Sequence, residues 1–257
     1  MSGLVLPDPA TAYRVGVVVP PSNPVVEPEL DVLLGDEILQ YGARLPRFTG
    51  LSLEERNQRY LPAYAEALDQ LYGLDVTCAL VAMTGPNYQL GLDRDRALCA
   101  ELTERFGAPV STASLAIYRT LNSLGINRIQ LLSPYPDWLT GETVRYWEGA
   151  GMTVVAVEHL LGEGQAFSAY GIKPGQIRRR CIPAGQGLVH CRAGLCGKAA
   201  LGHHLINHAF GHGAVSAELA PGDRKHPAGA GPNLVLARDF LGRLARLVDQ
   251  RTQSGPD

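Results

Sequence analysis

The chain alternates short apolar runs with longer segments in which apolar residues recur every three or four positions. Residues 15–19 and 76–83 are two of the short runs, and each stops at a loop that contains proline or glycine. Apolar runs of four to eight residues are typical of strands buried on both faces of a parallel sheet, and the wider spacing is typical of amphipathic helices. The pattern therefore predicts an α/β protein in which strands and helices alternate.

This pattern predicts strands and helices for most of residues 15–157, and one further helix near the end of the chain. Strands are predicted at residues 15–19, 40–48, 76–83, 109–112, 128–133 and 152–157. Helices are predicted at residues 27–39, 52–71, 93–106, 114–124, 138–150 and 234–248. Ser52 is expected to cap its helix, because Glu54 and Glu55 supply the acidic first turn that accompanies such a cap. Pro62 is expected to interrupt that helix.

The start of the first strand has a counterpart near the middle of the chain. Arg14 precedes an apolar strand that stops at Pro20. Arg128 likewise precedes an apolar strand, and that one stops at Pro134. Because a strand–helix pattern that restarts after about 115 residues is a sign of duplication, we predict two similar α/β halves. The strand-end loops of two such halves would face each other across a cleft.

Small polar residues follow two of the predicted strands. Ser22 and Asn23 come after the first strand, and Thr84 and Gly85 follow the strand at 76–83. Open α/β sheets bind ligands at the carboxyl ends of their strands, so these residues are candidates for a ligand site. A plainer interpretation is also open, in which Ser22 and Asn23 only cap the helix that begins near Glu27.

Length, charge and cysteine count narrow the class of protein. The chain has 257 residues, a net charge of −2 and five cysteines. A chain of this length buries a sizeable core, and its charge offers no electrostatic basis for binding nucleic acid or an anionic membrane. No apolar stretch could span a bilayer, residues 1–12 lack the pattern of a secretory signal, and the odd cysteine count favours reduced thiols. We therefore expect a soluble cytoplasmic protein, for which a homo-oligomer is an open alternative.

Residues 164–217 have an unusual composition. They contain no Asp or Glu, and six of the seven histidines of the chain lie beyond Val189. Helix surfaces of an ordinary α/β unit mix both signs of charge. Two interpretations are open: an atypical half-domain, or a stretch within 178–232 that is translated out of frame, with ordinary patterning regained from Asn233. Compensating insertions in the coding DNA would identify the second.

A rival function arises from the same stretch. His204, His208 and His212 recur every four residues, which would align them on one face of a helix. Cys191 and Cys196 lie upstream, and imidazoles and thiolates are the ligands that zinc prefers in proteins. No established zinc-site spacing is matched. Metal analysis of the purified protein would decide between this site and the one at the strand ends.

The strand-end motifs, taken as a set, resemble a known family. They are Pro20-Pro21-Ser22-Asn23 with Glu27 and Glu29, then Thr84-Gly85, and then Ser133-Pro134-Tyr135. The set is similar to the aspartate/glutamate racemase superfamily, and within it to the maleate cis-trans isomerase and arylmalonate decarboxylase branch. The resemblance implies two pseudo-symmetric lobes, each a four-stranded parallel sheet flanked by helices. Residues 13–121 with 233–252 would form the first lobe, whose C-terminal helix packs back, and residues 122–232 the second.

The resemblance also implies a site between the lobes that works without a metal or an organic cofactor. Its substrate would be a small acid with a carboxylate beside the reacting carbon, cradled by Thr84 and Tyr135. Two plainer alternatives stay open, in which Tyr135 only fills the core and Thr84 only caps the following turn. The predicted substrate-binding residues are Pro21, Ser22, Asn23, Thr84, Gly85 and Tyr135.

Cysteine usage decides which reaction the resemblance implies. Racemases and isomerases of this superfamily use one cysteine from each lobe, and Met83 occupies the position of the first. Because a thioether neither accepts a proton nor forms a covalent adduct, one-cysteine chemistry is predicted. Cys191 is the predicted proton donor and Cys196 the alternative. Cys78 and Cys99 are predicted to be inert core residues.

The resemblance therefore implies a cofactor-independent isomerase or decarboxylase that acts on small carboxylic or dicarboxylic acids through an enediolate-like anion. Such an anion needs hydrogen-bond donors already directed at its oxygens, which hydroxyls and backbone N–H groups supply. Tyr135 and Cys191 are the predicted catalytic residues. The alternative is a catalytically silent protein that binds small acids, which the missing first cysteine favours.

Overall fold

The computed structural model describes residues 13–34, 38–123, 126–161 and 167, together with the strand Ala214–Ala217. The predicted helix at 234–248 lies outside these residues, so its assignment to the first lobe stays a prediction. Most of the stretch at 178–232 also lies outside them, and the reading-frame hypothesis is therefore untested. The same is true of Cys191, Cys196, His204, His208 and His212.

The first sheet has four strands, which are β1 (Tyr13–Val19), β2 (Ile38–Arg44), β3 (Cys78–Val81) and β4 (Val110–Thr112). They lie in the order β2-β1-β3-β4, and every neighbouring pair is parallel. The flanking helices are α1 (Val26–Leu34), α2 (Leu53–Asp69), α3 (Gly85–Leu90), α4 (Leu92–Phe106) and α5 (Ala113–Ser123). The prediction of a four-stranded parallel sheet with helices around it is confirmed for this half of the chain.

The second sheet contains β5 (Arg128–Ser133), β6 (Thr153–His159) and β7 (Ala214–Ala217), with α6 (Asp137–Gly149) between the first two strands. The strand order is β6-β5-β7, where β6 runs parallel to β5 and β7 runs antiparallel. The described part of this sheet thus differs from the predicted four parallel strands. The long stretch between β6 and β7 leaves either strand direction open, because only a short hairpin or a single crossover helix would constrain it.

Helix α2 begins where the sequence predicts and continues past its proline. The backbone N–H of Ser52 donates to Glu55 Oε2 at 2.8 Å, and the N–H of Glu55 donates back to Ser52 Oγ at 3.2 Å. This reciprocal capping box confirms the predicted start. The predicted interruption at Pro62 is wrong, since the helix runs through it. The buried face formed by Tyr60, Ala63, Tyr64, Ala67 and Leu68 holds the helix against the sheet despite the lost hydrogen bond.

Strand β1 is buried on both faces, as its apolar sequence predicts. Val17 and Val19 belong to one apolar cluster and Val18 to another, as the two-residue period of a strand requires. Gly16 lies close to its neighbours, because a Cβ atom there would be 2.7 Å from Leu71 Cδ1, in the turn after α2, and 3.3 Å from Ala79 Cβ of β3. The cluster around Val17 also contains Ile129 of β5, so the core continues into the second sheet.

Candidate active site

The loop after β1 is organised by the side chain of Asn23. Its Oδ1 accepts hydrogen bonds from the backbone N–H groups of Val25 and Val26, at 2.8 and 3.0 Å. The plainer interpretation, in which Asn23 caps the helix, is therefore correct for its oxygen. Its Nδ2 is buried and has no partner among the residues that the structure describes. Because buried polar groups are nearly always paired, this amide nitrogen is a donor left over for a ligand.

Arg44, the last residue of β2, holds the same loop in place. Its Nη1 donates to the carbonyl oxygens of Pro20 at 3.3 Å and of Asn23 at 3.1 Å. Its other terminal nitrogen pairs with the carboxylate of Glu27 in the first turn of α1. Within this loop Ser22 is exposed and Asn23 is buried, so of these two predicted residues only Asn23 points inward.

Thr84 and Tyr135 come together although 51 residues separate them in the chain. Thr84 follows β3 of the first sheet, and Tyr135 follows β5 of the second. Their hydroxyl oxygens are 2.7 Å apart, and both side chains are buried. The loops after β3 and β5 thus bring one predicted residue from each sheet into direct contact.

The surroundings of Tyr135 keep its phenol neutral and fix its position. Burial raises the pKa of Tyr135 to about 12, and the hydrogen bond with Thr84 opposes this shift only in part. The hydroxyl therefore stays protonated at neutral pH and remains a hydrogen-bond donor. Behind it, Ser133 Oγ accepts from the backbone N–H of Tyr135 at 3.2 Å and bonds Thr140 Oγ1 at 2.6 Å. Ser133 thus shapes the turn that presents Tyr135.

The segment after β3 is a helix, α3, where the sequence predicts a loop. Gly85 is its first residue, and Pro86 follows at a position where its missing N–H costs nothing. Thr84 makes no side-chain cap to this helix. The alternative in which Thr84 only caps the following turn is therefore wrong, because its hydroxyl bonds Tyr135.

Asn57 is a candidate site residue that the sequence analysis missed. It lies in α2 with 3% of its surface exposed, and its Nδ2 has no partner among the described residues. A Cβ atom built on Gly85 would lie 3.6 Å from both polar atoms of its amide, so Asn57 borders the loop after β3. Its spacing of three from Tyr60 and seven from Tyr64 places it on the buried face of α2, which is a signal that sequence reasoning could have used.

Asp95 forms a second buried polar cluster that the sequence analysis missed. Its carboxylate accepts hydrogen bonds from Asn87 Nδ2 at 2.8 Å, Thr112 Oγ1 at 2.9 Å and Tyr146 Oη at 2.8 Å. Burial raises the pKa of Asp95, and these three donors oppose the rise. Asp95 lies in the first turn of α4, where an acid is normally a solvent-exposed partner of the helix dipole. No feature of the sequence distinguishes it from such an acid.

The two cysteines that the structure describes have no catalytic environment. Cys78 and Cys99 are both buried, and burial raises the pKa of their thiols to about 12 and about 11. Neither thiol ionises at neutral pH, as the prediction of inert core residues requires. Met83 is the second residue after β3 and packs, half-buried, against the core beside α2.

Glu29 in α1 is a half-buried carboxyl group whose pKa burial raises to about 7. One of its oxygens is buried without a partner among the described residues. Because the folded chain binds this proton more tightly than the unfolded chain does, its contribution to stability is complete below pH 4.5 and is lost as the pH rises through 7.

We therefore expect Glu29→Gln to increase the free energy of unfolding at pH 8 by about 1 kcal/mol, a value that allows for partial exposure. At pH 4 the variant and the parent should be equally stable, because both side chains are then neutral. Urea titrations at the two pH values measure the difference. A gain of the same size at both values would show that the burial of the charge is not its cause.

Among the described residues no group of three or more His, Cys, Asp or Glu side chains could hold a metal ion. No helix in the described ranges is both long and apolar enough to cross a bilayer.

The fold and the site together define a class of protein. A parallel sheet whose strand-end loops carry buried polar side chains is typical of α/β proteins that bind ligands at the carboxyl ends of their strands. The family model described as arylmalonate decarboxylase matches residues 15–164 of the chain. The chain therefore belongs to the arylmalonate decarboxylase family, as the resemblance of its motifs predicts.

Known relatives extend this result. The maleate isomerase of Geobacillus stearothermophilus is 26% identical over 159 residues, which are 56% of this chain and 62% of that protein. The chain thus spans less than two thirds of the length of this relative. A solved structure of the maleate isomerase Iso from Pseudomonas putida S16, a Cys-to-Ala variant with maleate, has a TM-score of 0.59 and 20% identity. That match covers 66% of this chain and 71% of the other.

Two more solved structures share the fold. Unliganded arylmalonate decarboxylase has a TM-score of 0.51 and 16% identity, over 66% of this chain and 71% of that one. Nocardia farcinica maleate cis-trans isomerase, a Cys-to-Ser variant with a covalently bound succinylcysteine intermediate, has a TM-score of 0.51 and 24% identity. This match covers 59% of this chain and 64% of the other. At these identities the similarity establishes the α/β fold.

Proposed function

We propose that the chain is a cofactor-independent isomerase or decarboxylase that acts on a small carboxylic or dicarboxylic acid through an enediolate-like anion. The observation that carries the proposal is the 2.7 Å contact between the hydroxyl groups of Thr84 and Tyr135. Each residue follows a strand of a different sheet, so the contact joins the two halves of the chain at their strand ends. Membership in the arylmalonate decarboxylase family supports the same class of reaction.

Neutral donors suit the charge that such a reaction develops. Removal of a proton or of CO2 next to a carboxylate gives an anion with two negative oxygens, which is stabilised by donors that are already oriented. The phenol of Tyr135 is protonated at neutral pH, as any tyrosine of ordinary pKa is, and burial raises its pKa further, to about 12. Because Thr84 and Tyr135 bond each other, one hydroxyl donates within the pair and the other can donate to the anion. Neither group brings a countercharge that would stabilise the ground state equally well.

Amide groups provide the remaining donors. The Nδ2 atoms of Asn23 and Asn57 are both buried without a partner among the described residues. Asn23 follows β1, and Asn57 borders Gly85, which follows β3; these strands are neighbours in the first sheet. Each amide can donate a hydrogen bond to an oxygen of a bound acid. The free energy of removing the amide from water is already lost on folding, so binding does not add to it. Pro21 and Ser22, in the same loop as Asn23, would line the outer part of the binding site.

One thiol completes the proposed chemistry. Met83 lies where a first catalytic cysteine would stand, and it cannot exchange a proton. Cys191 would supply the proton to the enediolate, with Cys196 as the alternative donor. A relative with the same fold, the Nocardia farcinica isomerase, carries a covalently bound succinylcysteine in its solved structure, which supports thiol chemistry in this group of proteins.

The second candidate function is a catalytically silent protein that binds small acids. Met83 is the observation that favours it, because a binder needs the donors of the site but no acid–base thiol. The two functions share Thr84, Tyr135 and Asn23, so binding alone does not separate them. Turnover does.

The test is a screen of the purified protein for proton exchange, isomerisation and decarboxylation. Its substrates are maleate, phenylmalonate, malonate and aspartate, followed by NMR in deuterated water and by release of CO2. We expect turnover of at least one of these acids without added metal or cofactor. Binding without turnover would favour the silent binder, and absence of both would contradict the assignment to small acids.

A further inference from the structure

Asp95 lies where several elements of the fold meet. Its carboxylate is completely buried and accepts from Asn87 of α3, Thr112 of β4 and Tyr146 of α6. Asn87 in turn accepts a hydrogen bond from Tyr64 of α2 at 3.1 Å. A buried carboxylate is tolerated only when its lone pairs are occupied, so these donors are fixed by the group they serve.

One of these bonds joins the two halves of the chain. Tyr146 belongs to α6, which follows β5 of the second sheet, whereas Asp95, Asn87 and Thr112 belong to elements of the first. The rings of Tyr146 and Tyr88 pack edge to face with centroids 5.2 Å apart, so the same contact is also apolar. The bond between Tyr146 and Asp95 therefore ties α6 to α4 in the interior.

The two helices held by Asp95 also begin at the candidate active site. Helix α3 starts at Gly85, directly after Thr84, and α6 starts at Asp137, two residues after Tyr135. Tyr88 of α3 contacts the ring of Tyr135 with centroids 6.4 Å apart. A shift of α3 relative to α6 would thus separate the hydroxyls of Thr84 and Tyr135, because both are rigidly attached to the helices that move.

We propose that Asp95 is a positioning residue that holds the Thr84–Tyr135 pair together through Asn87 on one side and Tyr146 on the other. The carboxylate does not touch the substrate. It fixes the distance between the two hydroxyls, on which the donors of the site depend. The consequence for ligand binding rests on the proposed function, whereas the consequence for the Thr84–Tyr135 contact does not.

Tyr146→Phe tests the proposal, because it removes one hydroxyl and keeps the ring that packs on Tyr88. The matched control is Thr143→Val, which removes a buried hydroxyl of the same helix whose one hydrogen bond among the described residues is to the carbonyl of Leu139. We expect kcat/KM for the acid turned over, or the affinity for maleate, to fall about tenfold in the first variant and less than twofold in the second. Equal losses in the two variants would overturn the proposal.

Asp95→Asn distinguishes the effect of the hydrogen bonds that Asp95 makes from the effect of its negative charge. Its Oδ1 can still accept from Asn87 and Thr112, and its amide can donate to the Tyr146 oxygen. We expect this variant to retain the greater part of the activity that Tyr146→Phe loses, because the same three groups stay connected. A loss as large as that of Tyr146→Phe would show that the charge of Asp95 matters and not the connection, which contradicts a positioning role.

A second measurement does not depend on activity. The coupling between Thr84→Val and Tyr135→Phe in the unfolding equilibrium is measured in the parent and in the Tyr146→Phe variant. We expect a coupling of about fivefold in the parent and less than twofold in the variant. Coupling that is unchanged overturns the proposal. Coupling that falls, in a protein that neither binds nor turns over any acid, would refute the proposed function and leave the role of Asp95 intact.

Discussion

Replacing Tyr135 with phenylalanine is expected to lower kcat/KM for the acid substrate by about 10²-fold, the usual cost of removing one donor from an anion-stabilising site. The ring of Tyr135 keeps its place, because its packing against Tyr88 does not involve the hydroxyl. What is lost is a neutral donor whose pKa burial raises to about 12. Since the donor acts mainly on the developing anion, kcat should fall more than KM rises.

Tyr60→Phe is the matched control for this prediction. Tyr60 is also a buried tyrosine, but its ring packs against Phe48 with centroids 5.3 Å apart, and it belongs to a different apolar cluster from Tyr135. Its kcat/KM should stay within twofold of the parent. Steady-state kinetics of the two variants, with thermal unfolding to confirm folding, make the measurement. Equal activity of Tyr135→Phe and the parent would remove Tyr135 from the site.

The first sheet could be predicted from the sequence because its central strands are buried on both faces. Residues 15–19 of β1 and all of β3 are apolar apart from Gly16, and a proline or glycine follows each strand within four residues; such runs have few other structures open to them. Helix boundaries agree where capping chemistry is local, as in the reciprocal bonds of Ser52 and Glu55. These features depend on residues that are close together in the chain.

Features that depend on distant residues could not be predicted. Helix α3 has the sequence Gly-Pro-Asn-Tyr-Gln-Leu, which favours a turn, and it forms because Asn87 and Tyr88 are buried between other elements. The direction of β7 could not be predicted either, because β7 pairs with β5, a strand far away in the chain. Intrinsic propensity is a weak guide at both places.

Some residues of the candidate site could likewise be predicted from nearby sequence, and others depend on distant contacts. Thr84 and Tyr135 could be picked out as candidates because each follows the carboxyl end of a strand, Thr84 in the first sheet and Tyr135 in the second, and such ends are where open α/β sheets bind ligands. Asn57 and Asp95 lie within helices and are both buried. The spacing of Asn57 from Tyr60 and Tyr64 is a signal of its burial, whereas only the packing of α4 shows that Asp95 points inward. An acid in the first turn of a helix is usually exposed, so the three hydrogen bonds of Asp95 have no local signature.

Replacing Cys191 with alanine is expected to lower kcat by about 10³-fold, because the enediolate would lose its general acid. The affinity for the substrate acid should stay within about threefold, since the donors proposed for binding are hydroxyl and amide groups on other residues. Isothermal titration and kinetics on the same preparation measure both quantities. Cys196→Ala is the matched control and should retain the activity of the parent.

Thiol labelling tests the role of Cys191 without a known substrate, because it measures the reactivity of each thiol directly. Cys78 and Cys99 should not react at pH 7, because burial raises the pKa of their thiols to about 12 and about 11. A catalytic Cys191 should react faster than every other thiol of the chain and should be protected by the acid that the protein binds. If Cys191→Ala binds and turns over the acid like the parent while Cys196→Ala does not, the proton donor is Cys196. If neither change alters turnover, the assignment of the proton donor to Cys191 or Cys196 is wrong, and Cys181 is the one thiol left to test outside the buried pair.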